Sequence, residues 1–158
     1  MNDMEAFKVY LPSNACHLIY PDNHPSNYRT RLDRLIQLDG EWEVGVESIF
    51  YSSHIEDKNK KEREIEGQQQ LFLLSNIAKP TAYGRYHLQI LQSFLHHPKK
   101  GDFIEKQFYP IVYLPLMTNN IDMIELQLTK EDYNPVKTYD FKTLVCLYFR
   151  KVRENSMM

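Results

Sequence analysis

The residues of this chain that could do chemistry are six histidines, two cysteines and a pair of glutamates four apart. His96-His97 is a tandem pair, but neighbours in a strand or turn point apart, and no Asp, Glu or Cys stands at ligand spacing beside them. The pair therefore predicts a surface turn and not a metal site. His17, His24, His54 and His87 are scattered, each expected to be exposed or bonded locally. Cys16-His17 pairs a nucleophile with a base in sequence, yet adjacent residues of a strand face opposite sides. Cys16 and Cys146 cannot build a disulfide framework and predict two ordinary thiols of a reduced, intracellular protein. Glu43 and Glu47 share a strand face about 13 Å apart by the rise per residue, too far for a retaining carboxylate pair and slightly beyond an inverting one. They predict a charged outer or interface face. None of the five glycines is paired or clustered, so there is no phosphate-cradling loop. The sequence thus assigns no catalytic, cofactor-binding or metal-binding residue, and the chain is not expected to be an enzyme.

Such residues need elements to hold them, and the bulk properties bound those elements. A chain of 158 residues is read as one domain over 1–158, able to bury roughly 70% of its unfolded surface without staples. Net charge is -2, with 19 basic and 21 acidic residues intermixed, so no basic block argues for specific nucleic-acid binding. No apolar run reaches the length of a membrane span. Met1 to Tyr10 lacks the basic-then-apolar layout of a signal peptide, and secretion by that route is not expected. Eleven Tyr, eight Phe and one Trp favour a pleated, half-buried surface.

The run from Gly40 to Tyr51 is written in alternation. Trp42, Val44, Val46, Ser48 and Phe50 fall on one face, predicted to be the core; Glu43, Gly45, Glu47, Ile49 and Tyr51 fall on the other. Asp39-Gly40 before it is a turn signal. Phe7, Val9 and Leu11 mark a first strand, and Leu18 to Tyr20 a fragment of a second before a loop over Pro21 to Pro25. Tyr28 to Leu38 continues extended, with Leu32, Ile36 and Leu38 on one face and Arg34 intruding. Residues 52–70, with both charges from Glu56 to Glu64, predict a solvated excursion.

Leu71 to Leu74 predicts a buried strand, and Tyr86 to about Phe94 another, followed by a polar turn from His96 to Asp102. Phe108 to Leu116 is apolar but holds Pro110 and Pro115, which belong at a sheet edge or between two pieces. Ile124, Leu126 and Leu128 alternate with polar residues; a turn over Glu131 to Pro135 precedes a last strand with Val145, Leu147 and Phe149. About eight short antiparallel strands and no amphipathic helix predict an all-β fold, a β-sandwich of the jelly-roll type, with a closed barrel left open by periodicity.

Several of these stretches recur together in one known group. Phe7-Lys8-Val9-Tyr10-Leu11-Pro12-Ser13-Asn14, Tyr20-Pro21-Asp22-Asn23, Asn27-Tyr28-Arg29-Thr30-Arg31-Leu32 and Leu38-Asp39-Gly40-Glu41-Trp42-Glu43-Val44-Gly45-Val46 resemble, in that order, the amino-terminal part of the penton-like minor capsid proteins of Polinton (Maverick) elements and their virus relatives. The stretch from Phe108 to Leu116, Ile121 to Leu126, and Thr143 to Lys151 resembles their carboxy-terminal part. The most specific pieces are Gly-Glu-Trp-Glu-Val-Gly and the closing Leu-Tyr-Phe-Arg.

The resemblance implies a single jelly roll that forms homopentamers at the five-fold vertices of an icosahedral virion, beside a double jelly-roll major capsid protein. Many relatives carry a longer central region than Glu56 to Gln107, so a protruding receptor-binding domain is not implied. The alternative from another class is a monomeric or domesticated sandwich that holds a glycan or host protein on a tyrosine-rich face.

Overall fold

A computed structural model describes residues 5–52, 55–56, 69–83, 86–97, 103–130, 137–138 and 142–153. Among these residues there are strands and no helix: β1 (Ala6–Pro12), β2 (Asn27–Gln37), β3 (Trp42–Ser52), β4 (Ile55–Glu56), β5 (Gln69–Ser75), β6 (Thr81–Tyr83), β7 (Tyr86–Leu88), β8 (Ile90–His96), β9 (Phe103–Gln107), β10 (Leu114–Pro115), β11 (Asn120–Thr129), β12 (Lys137–Thr138) and β13 (Leu144–Lys151). The fold is all-β and antiparallel, as the alternation predicts. Most of the charged excursion, together with His54 and the turns at Pro98-Gly101 and Glu131-Pro135, lies outside the described residues.

The strands form two main sheets. In the first the order is β1-β13-β3, with β10 and β9 sharing the far side of β3; in the second it is β2-β11-β5-β8. Two short ribbons, β12–β4 and β6–β7, stand apart. Each long strand of the first half pairs with its counterpart counted back from the chain end: β1 with β13, β2 with β11, β3 with β9 and β10, and β5 with β8. The chain is therefore folded double, and the last strand lies between the first and the third.

Both sheets turn one face inward. Leu11, Trp42, Val44, Val46, Val145, Leu147 and Phe149 come from the first, and Leu71, Leu73, Ile124, Leu126 and Leu128 from the second; all are buried in one apolar cluster. Phe7 stacks on Phe149 at 4.9 Å and 5° and meets Trp42 at 5.6 Å. Burial of such side chains contributes about 1.5–3 kcal/mol each, which makes this cluster the main support of the fold. Tyr28 on β2 crosses the layers and donates its hydroxyl to the Leu11 carbonyl at 2.7 Å. Burial raises the Tyr28 phenol above its ordinary pKa, so it stays a donor.

Asp39 and Gly40 form the predicted turn. Gly40 sits at φ 84°, a left-handed conformation that glycine takes without a Cβ clash. The Trp42 indole N–H closes the turn on the Asp39 carbonyl at 2.9 Å. Since β2 and β3 belong to different sheets, this turn is a corner and not a hairpin.

Five expectations need correction. The alternation of β3 breaks at Glu47. Opposite β13, Ser48 pairs with Cys146 and Val46 with Leu147, so Glu47 is an extra residue, a bulge. Beyond it the faces exchange: Ile49 and Tyr51 are buried, while Ser48 and Phe50 lie on the outer side. A one-residue insertion reverses every later side chain, and pairing decides that, not local sequence. Leu18 to Tyr20 is not a strand fragment; residues 13–19 are turns, closed by Ile19 and Tyr20 N–H groups on the Cys16 carbonyl.

The expected strand from Tyr86 to Phe94 divides at Gln89. β7 pairs with β6, whereas β8 joins the second sheet, and the Gln89 amide holds the join by donating to Asn76 and Ala78 carbonyls at 3.0 Å each. His96, expected in a surface turn, ends β8 and is buried, 3% exposed. Arg34 ceases to be an intruder for a related reason. The β2–β11 register jumps from Ile36 opposite Ile121 to Arg31 opposite Met123, and the intervening residues leave the ladder with Arg34 exposed.

The proline expectation holds at Pro115, which lies in the edge strand β10 beside β3. Between β9 and β10 the chain crosses the outer face of β3 over Gly45. A Cβ at Gly45 would lie 2.4 Å from Ile111 Cγ2 and 2.6 Å from the Val112 carbonyl oxygen. Glycine in a strand interior is a mark of such close approach. Gly45→Ala is expected to destabilise by about 1–3 kcal/mol, since backbone must move; a urea midpoint within error of the parent contradicts the crossing.

A second urea series tests the bulge. Trp42→Ala should cost about 3–5 and Ile49→Ala about 2–5 kcal/mol, because both vacate the core. Ser48→Ala should cost less than about 0.5 kcal/mol. Equal costs for Ile49→Ala and Ser48→Ala contradict the exchange of faces after Glu47.

Candidate functional site

The outward side chains of the first sheet gather the polar groups that the alternation placed away from the core. Register sets their rows. Ala6, Arg150 and Glu43 lie side by side, then Lys8, Tyr148 and Gly45, then Tyr10, Cys146 and Ser48. The bulge keeps Glu47 on this face beside Ser48, where Lys8 Nζ meets Glu47 Oε1 at 3.0 Å. The Cys146 thiol donates to Glu47 Oε2 at 3.6 Å. Arg150 pairs through Nε with Glu43 Oε1.

Electrostatics follow from these contacts. The hydrogen bond to Glu47 raises the Lys8 ammonium above its usual value, so it stays charged. Burial, with the Glu47 charge, raises the Cys146 thiol. A nucleophilic cysteine needs the opposite shift, toward thiolate, so Lys8, Glu47 and Cys146 form a fixed polar cluster and not an activated nucleophile.

The crossing segment adds aromatic surface. Tyr113 meets Tyr148 edge-on, with centroids 6.3 Å apart and planes at 73°. The Arg150 guanidinium carbon lies 3.5 Å from the Tyr113 centroid, a flat cation–π contact. Burial raises the Tyr113 phenol and the Arg150 charge opposes that shift. Beside these rings opens a groove of about 360 Å³ lined by Glu5, Ala6, Tyr113, Tyr148, Arg150, Lys151 and Arg153. Its lining includes Ala6, the small member of the row that also holds Arg150. Toward the other side of the same face Phe50 stacks on Phe103 at 4.8 Å.

The residues weighed for chemistry fall apart in space. Cys16 and His17 lie in the turn after β1, Cys16 with its Sγ 4.0 Å from the Arg31 carbonyl and His17 exposed. His24 Nδ1 and Ser26 Oγ bond at 2.9 Å within a loop, and His87 and His97 are exposed. Among the described residues no three His, Cys, Asp or Glu side chains converge as metal ligands, and no helix is long and apolar enough to cross a membrane. Glu43 and Glu47 do share the outer face, each held by its own cation.

His96 was missed, and no local signal marks it. Its Nδ1 shares a 2.7 Å hydrogen bond with the Tyr51 hydroxyl across the two sheets, with Phe94 edge-on to Tyr51 at 5.7 Å. Desolvation first, then the charges of Lys106 and His97, push the His96 imidazole down to about 4. Tyr51 is raised by burial and remains protonated. The pair is a neutral, buried link between layers.

Compared with protein-family models and with curated proteins, the chain matches none.

A pH prediction follows from His96. Its ordinary value is about 6.5, so below that pH the unfolded chain takes up a proton that the folded ring refuses until about pH 4. Stability from this group is complete above about pH 7 and falls as pH drops toward 4, by about 3 kcal/mol in all. The stability gap between parent and His96→Gln should narrow over that window in paired urea melts. A gap that is constant with pH contradicts a neutral ring in the fold.

Proposed function

We propose that this chain is a structural assembly protein: a single jelly roll that closes into a homopentamer and seals a five-fold vertex of an icosahedral capsid. The observation that carries the proposal is the doubled pairing of the long strands, β1 with β13 in one sheet and β2 with β11 in the other, continued inward by β3 and β5. Folding a long hairpin double and wrapping it into two layers gives that order, and it is the topology expected of a jelly roll. The resemblance of the Gly40 to Gly45 and Leu147 to Arg150 stretches to penton-like minor capsid proteins supports the same assignment. On that resemblance the proposed partners are four further copies and a double jelly-roll major capsid protein, in a virion.

The surface supports association as well. Leu18 is 100% exposed, and Ile19, Leu35, Val112 and Met117 are each at least half exposed. Apolar side chains left outside the core are available to a contact where they fall together in one patch. A cyclic ring needs a heterologous contact, in which two different patches of one subunit meet those of its neighbours. A stable contact of that kind buries on the order of 1,200–2,000 Å² in total. The glycan-holding alternative has its own observation, the aromatic and cationic groove, and does not require a ring.

Negative-stain electron microscopy and light scattering of the purified chain test assembly. Rings with five-fold symmetry and a mass near five times 18.9 kDa are expected at high protein concentration. A strict monomer at about millimolar concentration, with no rings on grids, overturns the pentamer.

A further inference from the structure

We infer that the groove between Tyr113, Tyr148 and Arg150 is a binding site for a carboxylate-bearing sugar. The inference rests on the groove and not on ring assembly, so either can fail without the other.

The groove exists because Ala6 stands where its outward neighbours on β1 are Lys8 and Tyr10. A small side chain at the strand start leaves room beside the tyrosine pair, Glu5 and Arg153. About 360 Å³ lies at the lower end of small-ligand pockets and suits one or two pyranose rings. Its lining carries two guanidinium groups, Arg150 paired through Nε with Glu43 and Arg153 paired with Glu5, while the Lys151 side chain reaches toward Gly40. The guanidinium N–H donors left over from these pairs suit an anionic group.

Arg150 is the element that gives the site direction. Its Nε is given to Glu43, and its guanidinium carbon is held 3.5 Å from the Tyr113 centroid, so the fork cannot swing freely. A guanidinium has five N–H donors, and those beyond Nε suit the two oxygens of a carboxylate. Orientation is fixed before the ligand arrives, which lowers the entropy lost on binding. By contrast, the Arg153–Glu5 pair at 3.2 Å is highly exposed, with side chains 86% and 57% accessible. Such a pair opens at little cost.

The remaining lining distinguishes a sugar from an acidic peptide. Sugar rings present electropositive C–H edges that stack on the negative face of a tyrosine, and two tyrosines at 73° make a corner for them. Hydroxyls both donate and accept, and the groove has donors in its cations and an acceptor in Glu5. An acidic peptide uses the donors but brings no ring whose C–H face can stack on the tyrosines.

The test is a titration of the full chain at low salt with 3′-sialyllactose and with lactose, followed by NMR. Saturable binding of sialyllactose, at least tenfold tighter than lactose, is expected, with the shifts centred on Tyr113, Tyr148 and Ala6. Arg150→Ala and Arg150→Lys should each weaken it at least tenfold, the second because a point charge lacks the stacked fork. Ala6→Leu leaves every cation in place and fills the room beside the tyrosine pair, and it should also abolish binding while the rest of the spectrum keeps its dispersion. Equal affinity for the two sugars, binding that survives Ala6→Leu, or capture of a polyglutamate peptide in place of the sugar each overturn the inference.

Discussion

The placement of β13 between β1 and β3 is the constraint on which the rest of this molecule depends. β13 supplies Val145, Leu147 and Phe149 to the core on one side and Cys146, Tyr148 and Arg150 to the outer face on the other. Phe7 reaches the core by stacking on Phe149, and Lys8 finds Glu47 across the intervening strand. β11 plays the same part in the second sheet, between β2 and β5. Both sheet centres thus come from the last third of the chain. Neither layer can close until strands from opposite halves of the chain have met, and non-local pairing of this kind makes folding slow relative to local structure.

The Glu47 bulge shows how one added residue serves both faces. Before it, Trp42, Val44 and Val46 fill the core; after it, Ile49 and Tyr51 do. Without the insertion Phe50 would turn inward and Tyr51 outward, and Tyr51 could not meet His96 on the opposite layer. On the outer side the bulge places Glu47 where it holds Lys8 and Cys146 together. Bulges bend and retwist a strand, and here the bend falls where the segment 108–113 crosses from β9 to β10 over Gly45.

Charge is distributed by the same geometry. The ion pairs Lys8–Glu47, Arg150–Glu43 and Arg29–Glu125 all sit on outer faces, where water remains and each contributes modestly. Between the layers the polar groups are neutral, Tyr28 on the Leu11 carbonyl and Tyr51 with His96. Charge there would carry a desolvation cost that no partner in the core offsets. The outer pairs act mainly by fixing positions, most evidently that of Arg150 against Tyr113.

Period-two patterning was enough to identify the all-β class, the long strands and most of the core, because burial of one face writes itself into alternate residues. It determined the inward facing of Val44, Val46, Ile124, Leu126, Leu128, Val145, Leu147 and Phe149. Asp39-Gly40 and Pro115 were legible too, since φ and a missing N–H are local properties. The second half of β3, the break at Gln89 and the burial of His96 were not, for each depends on which strand lies alongside. The groove was invisible for the same reason: Ala6, Tyr113 and Arg150 are far apart in sequence and meet only through the β1–β13 pairing and the crossing of the 108–113 segment over β3. Local chemistry fixed what each segment is, and tertiary pairing decided what each segment faces, because the partner that sets register lies elsewhere in the chain.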